Sequence, residues 1–339
     1  MITLIQIAVS LIPVFVFLIA LVFLDSFKLV KVRSIVQAIA VGCVVALACF
    51  FINRWMLTGV AADSTAYSKY VAPLVEESLK AGFIIYLVTR RRIGFMVDAA
   101  VLGFAVGAGF AFIENVYYLR SLQDSNLLVW IVRGLGTAVM HGGTTAALAL
   151  LSQGLADRRP RRAMGRIAVF LPGLGVAIGL HTLFNQFVLS PVVNTVAQML
   201  VLPAVLVLIF NRSEKALRDW LEVGLDTDVR VLEDIKTGAI SQTRPGQYLE
   251  SLRSRFSGEV VADMLCLLRI HLELAAQAKG ILLMREAGFN IPEDREIRER
   301  LTELKFLEKS IGATGRLAIA PILHGSSRDL WQLYVVGKK

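Results

Sequence analysis

Residues 97–119 read VDAAVLGFAVGAGFAFIENVYYL, a run of 23 residues that is apolar except near its two ends. A helix of ~20 apolar residues is long enough to cross the hydrocarbon core of a bilayer. Glu114 and Asn115 lie inside this run, and an ionisable group inside a membrane is costly, which makes it a candidate for function. The stretch therefore predicts a membrane-spanning helix that carries part of a functional site.

The rest of the chain extends this pattern. Its mean hydropathy is +0.63 and 55% of its residues are hydrophobic, with the apolar residues gathered in long blocks. Seven segments fit spanning helices: 3–24, 34–53, 69–89, 97–119, 133–154, 167–188 and 191–210. The first lacks a basic start and a small-residue cleavage pattern, so we expect a retained helix and not a signal peptide. The predicted fold class is all-α: a polytopic membrane bundle of about seven helices.

Basic residues between the segments orient this bundle, because cytoplasmic loops are enriched in Lys and Arg. The connections on one side carry fourteen: Lys28, Lys31, Arg33, Arg90, Arg91, Arg92, Arg158, Arg159, Arg161, Arg162, Arg166, Arg212, Lys215 and Arg218. The other side carries only Arg54, Lys69, Arg120 and Arg133, and Arg133 is expected to snorkel to the interface. We expect a multi-pass protein of the inner (plasma) membrane with its N-terminus outside and its C-terminus in the cytoplasm.

The charge balance changes at Asn211. Residues 1–211 carry 16 basic against 8 acidic residues, and residues 212–339 carry 20 against 19. The excess positive charge thus belongs to the membrane half, which argues against a nucleic-acid partner. Residues 1–211 are predicted to form a transmembrane domain, and residues 212–339 a cytoplasmic helical domain of unknown role that is open to a cytoplasmic partner. The cysteines form no CxxC pair, so no cysteine-type zinc site is expected.

Four consecutive segments carry polar pairs spaced four residues apart, which lie on one face of a helix. The pairs are Glu76 with Lys80, Glu114 with Tyr118, His141 with Thr145, and His181 with Asn185. At a rise of about 1.5 Å per residue, the glutamates and histidines lie roughly 8–12 Å below the outer face. Four helices of alternating direction bring them to one level, which predicts a shared polar cavity.

Two histidines and up to three glutamates at one level support two chemistries. They can bind Zn²⁺ through imidazole nitrogen and carboxylate oxygen, or activate a water with a carboxylate as general base and His or Asn as oxyanion donors. Both lead to hydrolysis. Glu76 lies four residues before Lys80 and is expected to pair with it, which leaves Glu77 as the predicted base. Glu77→Gln would then end activity while the protein stays folded.

Two other classes of protein compete with a hydrolase. A transporter or channel could use the buried Glu, His and Lys as an ion or proton path, but transporters often contain internal repeats. No repeat is visible here, and the polar groups lie toward one membrane face. A sensor whose membrane part only anchors a signalling tail would not need Glu and His on four helices.

The motifs EExxK at Glu76–Lys80, FxxxEN at Phe110–Asn115, HxxxT at His141 and HxxxN at His181 occur in this order, one per helix. This arrangement resembles the PrsW family of intramembrane proteases, which is related to the CAAX-processing and bacteriocin-immunity (Abi) proteases. The resemblance covers about residues 70–190. The related CAAX proteases have FxxxH where this chain has FxxxE, which leaves open whether a metal is bound.

The resemblance implies a site, a substrate and a compartment. The implied catalytic residues are Glu76, Glu77, Lys80, Glu114, Asn115, His141, His181 and Asn185. Glu114, His141 and His181 are the expected metal ligands, with Zn²⁺ as the expected metal. The implied partners are the lipid bilayer and a membrane-anchored protein substrate, an anti-sigma factor cleaved on its extracytoplasmic side in envelope-stress signalling.

Overall fold

A computed structural model describes residues 4–59, 64–122, 126–157, 167–186, 188–289 and 295–323 of the chain. All regular secondary structure within these ranges is helical. The chain divides into two compact units, Met1–Glu214 and Lys215–Lys339. The predicted class, an all-helical membrane protein, is confirmed for the described residues.

The first unit contains eight helices in the described ranges and the start of a ninth. Their bounds are α1 (Leu4–Phe23), α2 (Val32–Gly59), α3 (Ser64–Ala66), α4 (Ala72–Thr89), α5 (Met96–Ser121), α6 (Leu127–Ile131), α7 (Ala138–Asp157), α8 (Leu171–Asn185) and α9 (Pro191–Thr237). Two π-helical stretches precede helices that carry the predicted polar residues. The first π segment, Tyr67–Val71, precedes α4, and the second π segment, Val132–Thr137, precedes α7. Such stretches are rare and often mark functional sites.

Five helical stretches in the described ranges are long and apolar enough to cross a membrane: Leu4–Phe23, Val32–Gly59, Met96–Ser121, Leu127–Asp157 and Pro191–Thr237. The count of seven is therefore not confirmed. The two other predicted segments do form helices, but α4 carries three charged residues, Glu76, Glu77 and Lys80. Helix α8 has only 15 residues, which span about 22 Å. By length and composition alone, neither of these two helices qualifies as a membrane span.

Helix α5 lies at the centre of the first unit and packs against α1, α2 and α7. Glycines on α5 let neighbouring backbones touch it. A Cβ atom added at Gly109 would lie 2.0 Å from the carbonyl oxygen of Ile39 on α2, and one at Gly107 would lie 2.1 Å from the carbonyl oxygen of His141 on α7. Small residues commonly permit such close approach between membrane helices. The contact at Gly107 therefore sets where His141 stands.

Gly107→Ala is expected to force α5 and α7 apart. Overpacking typically costs about 1–3 kcal/mol, and we expect a loss of unfolding free energy in this range, measured by thermal unfolding in detergent. The matched control is Gly82→Ala on α4, where nothing lies within 4 Å of an added Cβ, so the better helix propensity of Ala should leave stability equal or higher. Equal effects of the two substitutions would contradict the packing argument.

Asp25 closes the turn between α1 and α2. Its Oδ2 accepts hydrogen bonds from the backbone N–H groups of Leu29 at 2.6 Å and Val30 at 3.3 Å. Burial nevertheless raises the pKa of the Asp25 carboxyl to about 6, and these hydrogen bonds oppose the rise only in part. Because the folded-state pKa lies above that of an unfolded Asp, stability is lost as pH rises from about 4 to about 6.

Asp25→Asn removes this loss and keeps an acceptor oxygen in the turn. We expect the free energy of unfolding to rise by up to about 3 kcal/mol above about pH 6, and to be unchanged near pH 4. Thermal unfolding in detergent at these two pH values measures the effect. Asp219→Asn, at an exposed carboxylate, is the control. A gain of the same size at both pH values would contradict the assignment.

All regular secondary structure in the described part of the second unit is helical. It comprises the end of α9 followed by α10 (Arg244–Leu252), α11 (Gly258–Glu286), α12 (Arg295–Ser310) and α13 (Gly312–Leu323). Leucines and other apolar residues of α10 to α13 form its core. Buried Lys279 on α11 forms an ion pair with Asp228 on α9 and lies over the ring of Trp220. Its cytoplasmic location stays a prediction.

Candidate functional site

Helix α4 contributes the most deeply buried charges of the site. Glu77 and Lys80 are both 0% exposed, and Lys80 Nζ lies 2.8 Å from Glu77 Oε1. The expected pairing of Lys80 with Glu76 is therefore wrong. Residues three apart are neighbours on a helix as well as residues four apart, and here it is Glu77 that turns inward together with Lys80.

Glu77 also fixes the histidine of α8. His181 Nδ1 lies 2.8 Å from Glu77 Oε1, and Thr144 on α7 donates its hydroxyl to the same oxygen at 3.3 Å. One carboxylate oxygen of Glu77 thus contacts the ammonium of Lys80, the imidazole of His181 and the hydroxyl of Thr144. With Nδ1 held by Glu77, the other ring nitrogen of His181, Nε2, points to Glu76, whose Oε2 is 3.9 Å away.

His141 on α7 lies between Lys80 and Glu114. Lys80 Nζ is 2.9 Å from His141 Nδ1, and Glu114 Oε2 is 3.0 Å from His141 Nε2. A lysine ammonium can only donate, so Nδ1 accepts from Lys80 and the ring proton lies on Nε2, from which it is donated to Glu114. The ring also packs 4.8 Å from that of Phe110, between centroids. The two histidine rings stand 4.8 Å apart and perpendicular.

Glu76 is the carboxylate of the cluster without a Lys or Arg partner within ion-pair distance in the described residues. Its side chain is 14% exposed. Its Oε1 accepts from Asn53 Nδ2 on α2 at 3.3 Å, and Asn53 in turn accepts from the hydroxyl of Tyr67 at 2.8 Å. Neutral groups hold Glu76 in place, and its other oxygen faces the histidines.

The two asparagines predicted for the site make contacts at its edges. Asn115 is buried and donates to the carbonyl oxygen of Ser10 on α1 at 2.8 Å. Asn185 donates to the carbonyl oxygen of Ser68 in the first π segment at 3.1 Å. Both amides thus join site helices to neighbouring backbone. Their catalytic roles stay predictions.

Sequence reasoning missed several partners of the site. Arg133 was expected to snorkel, but its side chain is only 14% exposed and lies 3.5 Å from Glu114. Thr145 was paired with His141, but its hydroxyl bonds back to the His141 carbonyl oxygen, and it is Thr144 that faces Glu77. Asn53 could have been found by extending the depth argument to the uncharged polar residues of the second segment.

The donor set fits a metal ion. Glu76, His141 and His181 each offer one ligand atom, and these atoms lie within 4.8 Å of one another. Three protein ligands with an open fourth position are typical of catalytic zinc sites, and the bond of His181 Nδ1 to the Glu77 carboxylate is the outer contact that metal-binding histidines usually make. Glu76 stands in this set where the sequence predicted Glu114, whose role as a ligand stays a prediction. Ligation by His141 Nε2 would require the ring proton to lie on Nδ1, toward Lys80.

Glutamates and histidines brought together in the interior of a membrane helix bundle supply the groups that an intramembrane hydrolase needs. The family model of the PrsW family intramembrane metalloproteases matches residues 31–210, more than half of the chain, and the chain belongs to this family. It is an intramembrane protease. Comparison with curated proteins and with solved structures finds no match.

Proposed function

We propose that this protein is an endopeptidase that cleaves a membrane-anchored protein near its extracytoplasmic boundary, with Glu76, His141 and His181 at the reacting centre. One observation carries the proposal: the Glu76 carboxylate, which has no Lys or Arg partner among the described residues, faces two histidines whose Nδ1 atoms are already fixed by Glu77 and Lys80. Imidazoles in fixed positions and an uncommitted carboxylate can hold a water and take its proton, as peptide hydrolysis requires.

Glu76 is the general base of the proposed reaction. A water between Glu76 Oε2 and His181 Nε2, which are 3.9 Å apart, is within hydrogen-bond reach of both. Glu76 takes the proton of this water as its oxygen attacks the peptide carbonyl, and returns it to the leaving amine. Glu77, which sequence reasoning favoured as the base, instead orients His181 and balances Lys80.

The developing negative charge on the carbonyl oxygen needs donors in a site of low dielectric. The Lys80 ammonium, which donates to His141 Nδ1, supplies positive charge beside the histidines, and the His141 Nε2–H group can act as a donor only by sharing the bond that it makes with Glu114. Zn²⁺ held by Glu76, His141 and His181 would act on the same carbonyl as a Lewis acid. In either case Glu77 holds the His181 ring through its Nδ1 atom. The bonds of His141 to Lys80 and Glu114 belong to the metal-free mode, because ligation through Nε2 would use the nitrogen that Glu114 now holds.

Metal content decides between these two modes. If Zn²⁺ is held by Glu76, His141 and His181, the purified protein should contain about one zinc per chain, and His181→Ala should lose nearly all of it, since catalytic zinc sites rely on three protein ligands. Elemental analysis of the detergent-purified protein measures this. His271→Ala, a buried histidine of the second unit, is the control. A metal-free wild type that cleaves its substrate would favour the water-activating mode.

The proposed side of cleavage rests on charge distribution and depth. Basic connections favour a cytoplasmic C-terminus, which puts the site roughly 8–12 Å below the outer face. Water reaches such a depth more easily than the bilayer midplane. Impermeant thiol labelling of single cysteines in a cysteine-free background tests it. Cysteines at Asp63 and Asp124 should react in intact cells and one at Pro160 should not; all three positions lie outside the described residues. The opposite pattern would move the cleavage site to the cytoplasmic face.

The substrate class is tested by reconstitution. We propose a single-span protein, and the family resemblance suggests an anti-sigma factor. The protein and a candidate substrate in proteoliposomes should yield two fragments whose new ends, located by mass spectrometry, lie within the outer third of the substrate's membrane segment. Glu76→Gln is the inactive control. Fragments from the cytoplasmic end, or fragments that persist with Glu76→Gln, would contradict the proposal.

A further inference from the structure

Arg133 sits in the second π segment, where its guanidinium turns inward. Its Nε donates to Asn115 Oδ1 at 3.0 Å, its Nη2 lies 3.5 Å from Glu114 Oε2, and its guanidinium carbon stacks 3.7 Å from the centre of the Tyr118 ring. These three partners lie on one helix, α5. A snorkelling arginine would instead extend its charge toward water.

Asn115 ties this arginine to α1. Its oxygen accepts from Arg133 and its nitrogen donates to the carbonyl oxygen of Ser10, so both ends of the amide are used. The backbone of α1 also touches the second π segment, since a Cβ added at Gly134 would lie 1.9 Å from the carbonyl oxygen of Val9. Arg133 is therefore held in one orientation by α1, α5 and the stacking tyrosine.

Glu114 is the residue that this arrangement controls. Its Oε2 faces Arg133 on one side and His141 Nε2, at 3.0 Å, on the other. At 25% exposure its side chain is the least enclosed of the three glutamates in the site. Nη2 of Arg133 is buried and has no hydrogen-bond partner in the described part of the chain, so Glu114 is the group placed to compensate its charge.

We propose that Arg133 is a positioning residue: it holds Glu114 in the place from which Glu114 fixes the ring of His141. This inference rests on the proposed function, because it assigns Arg133 a part in the same site. A chain of contacts runs from Arg133 through Glu114 and His141 to Lys80 and Glu77. Loss of the arginine frees Glu114 to turn toward water, and His141 then loses one of its two restraints.

The pairing is tested first without any substrate. Thermal unfolding in detergent is measured for Arg133→Met, Glu114→Gln and the double variant. Truncating one partner of this partly buried pair leaves the other charge less well compensated, so each single variant should lower Tm. The Tm of the double variant should lie close to the Tm of Arg133→Met alone, because Glu114 has already lost its partner in that single variant. Strictly additive losses would overturn the inference, since independent residues add.

The effect on the reaction is tested by reconstituted proteolysis. Replacing such outer partners typically lowers activity roughly 10- to 100-fold, and we expect a loss of this size in kcat for Arg133→Met with KM nearly unchanged. Millimolar guanidinium should restore part of the kcat, and Arg133→Lys should keep part of it. Arg54→Met, an exposed arginine on α2, is the control and should cleave like the wild type.

The outcomes separate the two proposals. An unchanged kcat in Arg133→Met, or a lowered kcat that guanidinium does not move, overturns the positioning role. A wild type that cleaves no membrane-anchored protein but shows a coupled Arg133–Glu114 pair overturns the proposed function and supports the pairing. An active wild type with additive losses of Tm overturns this inference alone.

Discussion

Glu76→Gln is expected to lower kcat by about 10²- to 10⁴-fold, the usual contribution of a positioned general base. Gln keeps the volume of the side chain and an oxygen that can accept from Asn53, so the fold should be unaffected. The proton acceptor facing His181 is lost. Proteolysis in proteoliposomes gives the rate, and thermal unfolding shows that the variant is folded.

The control for this experiment is Glu214→Gln. Glu214 also lies in the first unit and accepts a backbone hydrogen bond, from Ser26, so the same chemical change is made at a carboxylate away from the site. Its activity should equal that of the wild type. Full activity of Glu76→Gln would remove Glu76 from the reaction and return the base to Glu77.

Glu77→Gln is expected to act mainly on stability. Removing one partner of a buried ion pair costs about 3–5 kcal/mol, because the Lys80 ammonium would remain at 0% exposure without its carboxylate. This replaces the expectation from sequence that the variant folds normally. Lys80→Met should be destabilising by a similar amount, because it leaves the carboxylate alone.

The double variant Glu77→Gln, Lys80→Met separates the pair from its two members. Removing both charges leaves no uncompensated ion, so we expect it to be more stable than either single variant in thermal unfolding. Its proteolytic activity should stay low, since His181 loses a charged partner. A double variant whose loss equals the sum of the single losses would show that the two charges do not interact.

The sequence predicts the position of each site residue along its helix better than the direction in which its side chain points. Length and hydropathy predict the helices, and the rise per residue predicts one level for their polar residues. His141 and His181 are therefore expected to meet, and their rings lie 4.8 Å apart. The direction in which each side chain points around its helix was harder to predict. Residues three apart and residues four apart are both neighbours on a helix, so the spacing alone could not decide whether Glu76 or Glu77 pairs with Lys80.

Arg133 stands at the start of the predicted segment 133–154, where a long basic side chain is expected to reach the interface, so its inward contact with Glu114 was not predicted. In a regular helix, residues eight apart differ in direction by about 80°, so Arg133 would point to one side of His141. A π turn contains more residues than an α turn, and the second π segment, Val132–Thr137, contains Arg133, so the difference in direction between Arg133 and His141 is smaller. The residues VRGLGT do not by themselves predict a π turn, and in the structure this segment packs against α1.

His141 and His181 are only 1% and 3% exposed. Their burial limits the conformation in which a substrate could reach them. In an intact helix each peptide carbonyl is bonded to an N–H four residues on and lies inside a cylinder of side chains about 10 Å wide. A bilayer span in that state cannot bring a carbonyl to Glu76. It would have to unwind locally, and the backbone groups released would need new partners away from lipid. Selectivity would then follow how easily a segment unravels, favouring glycine or proline near the scissile bond over any particular side chain.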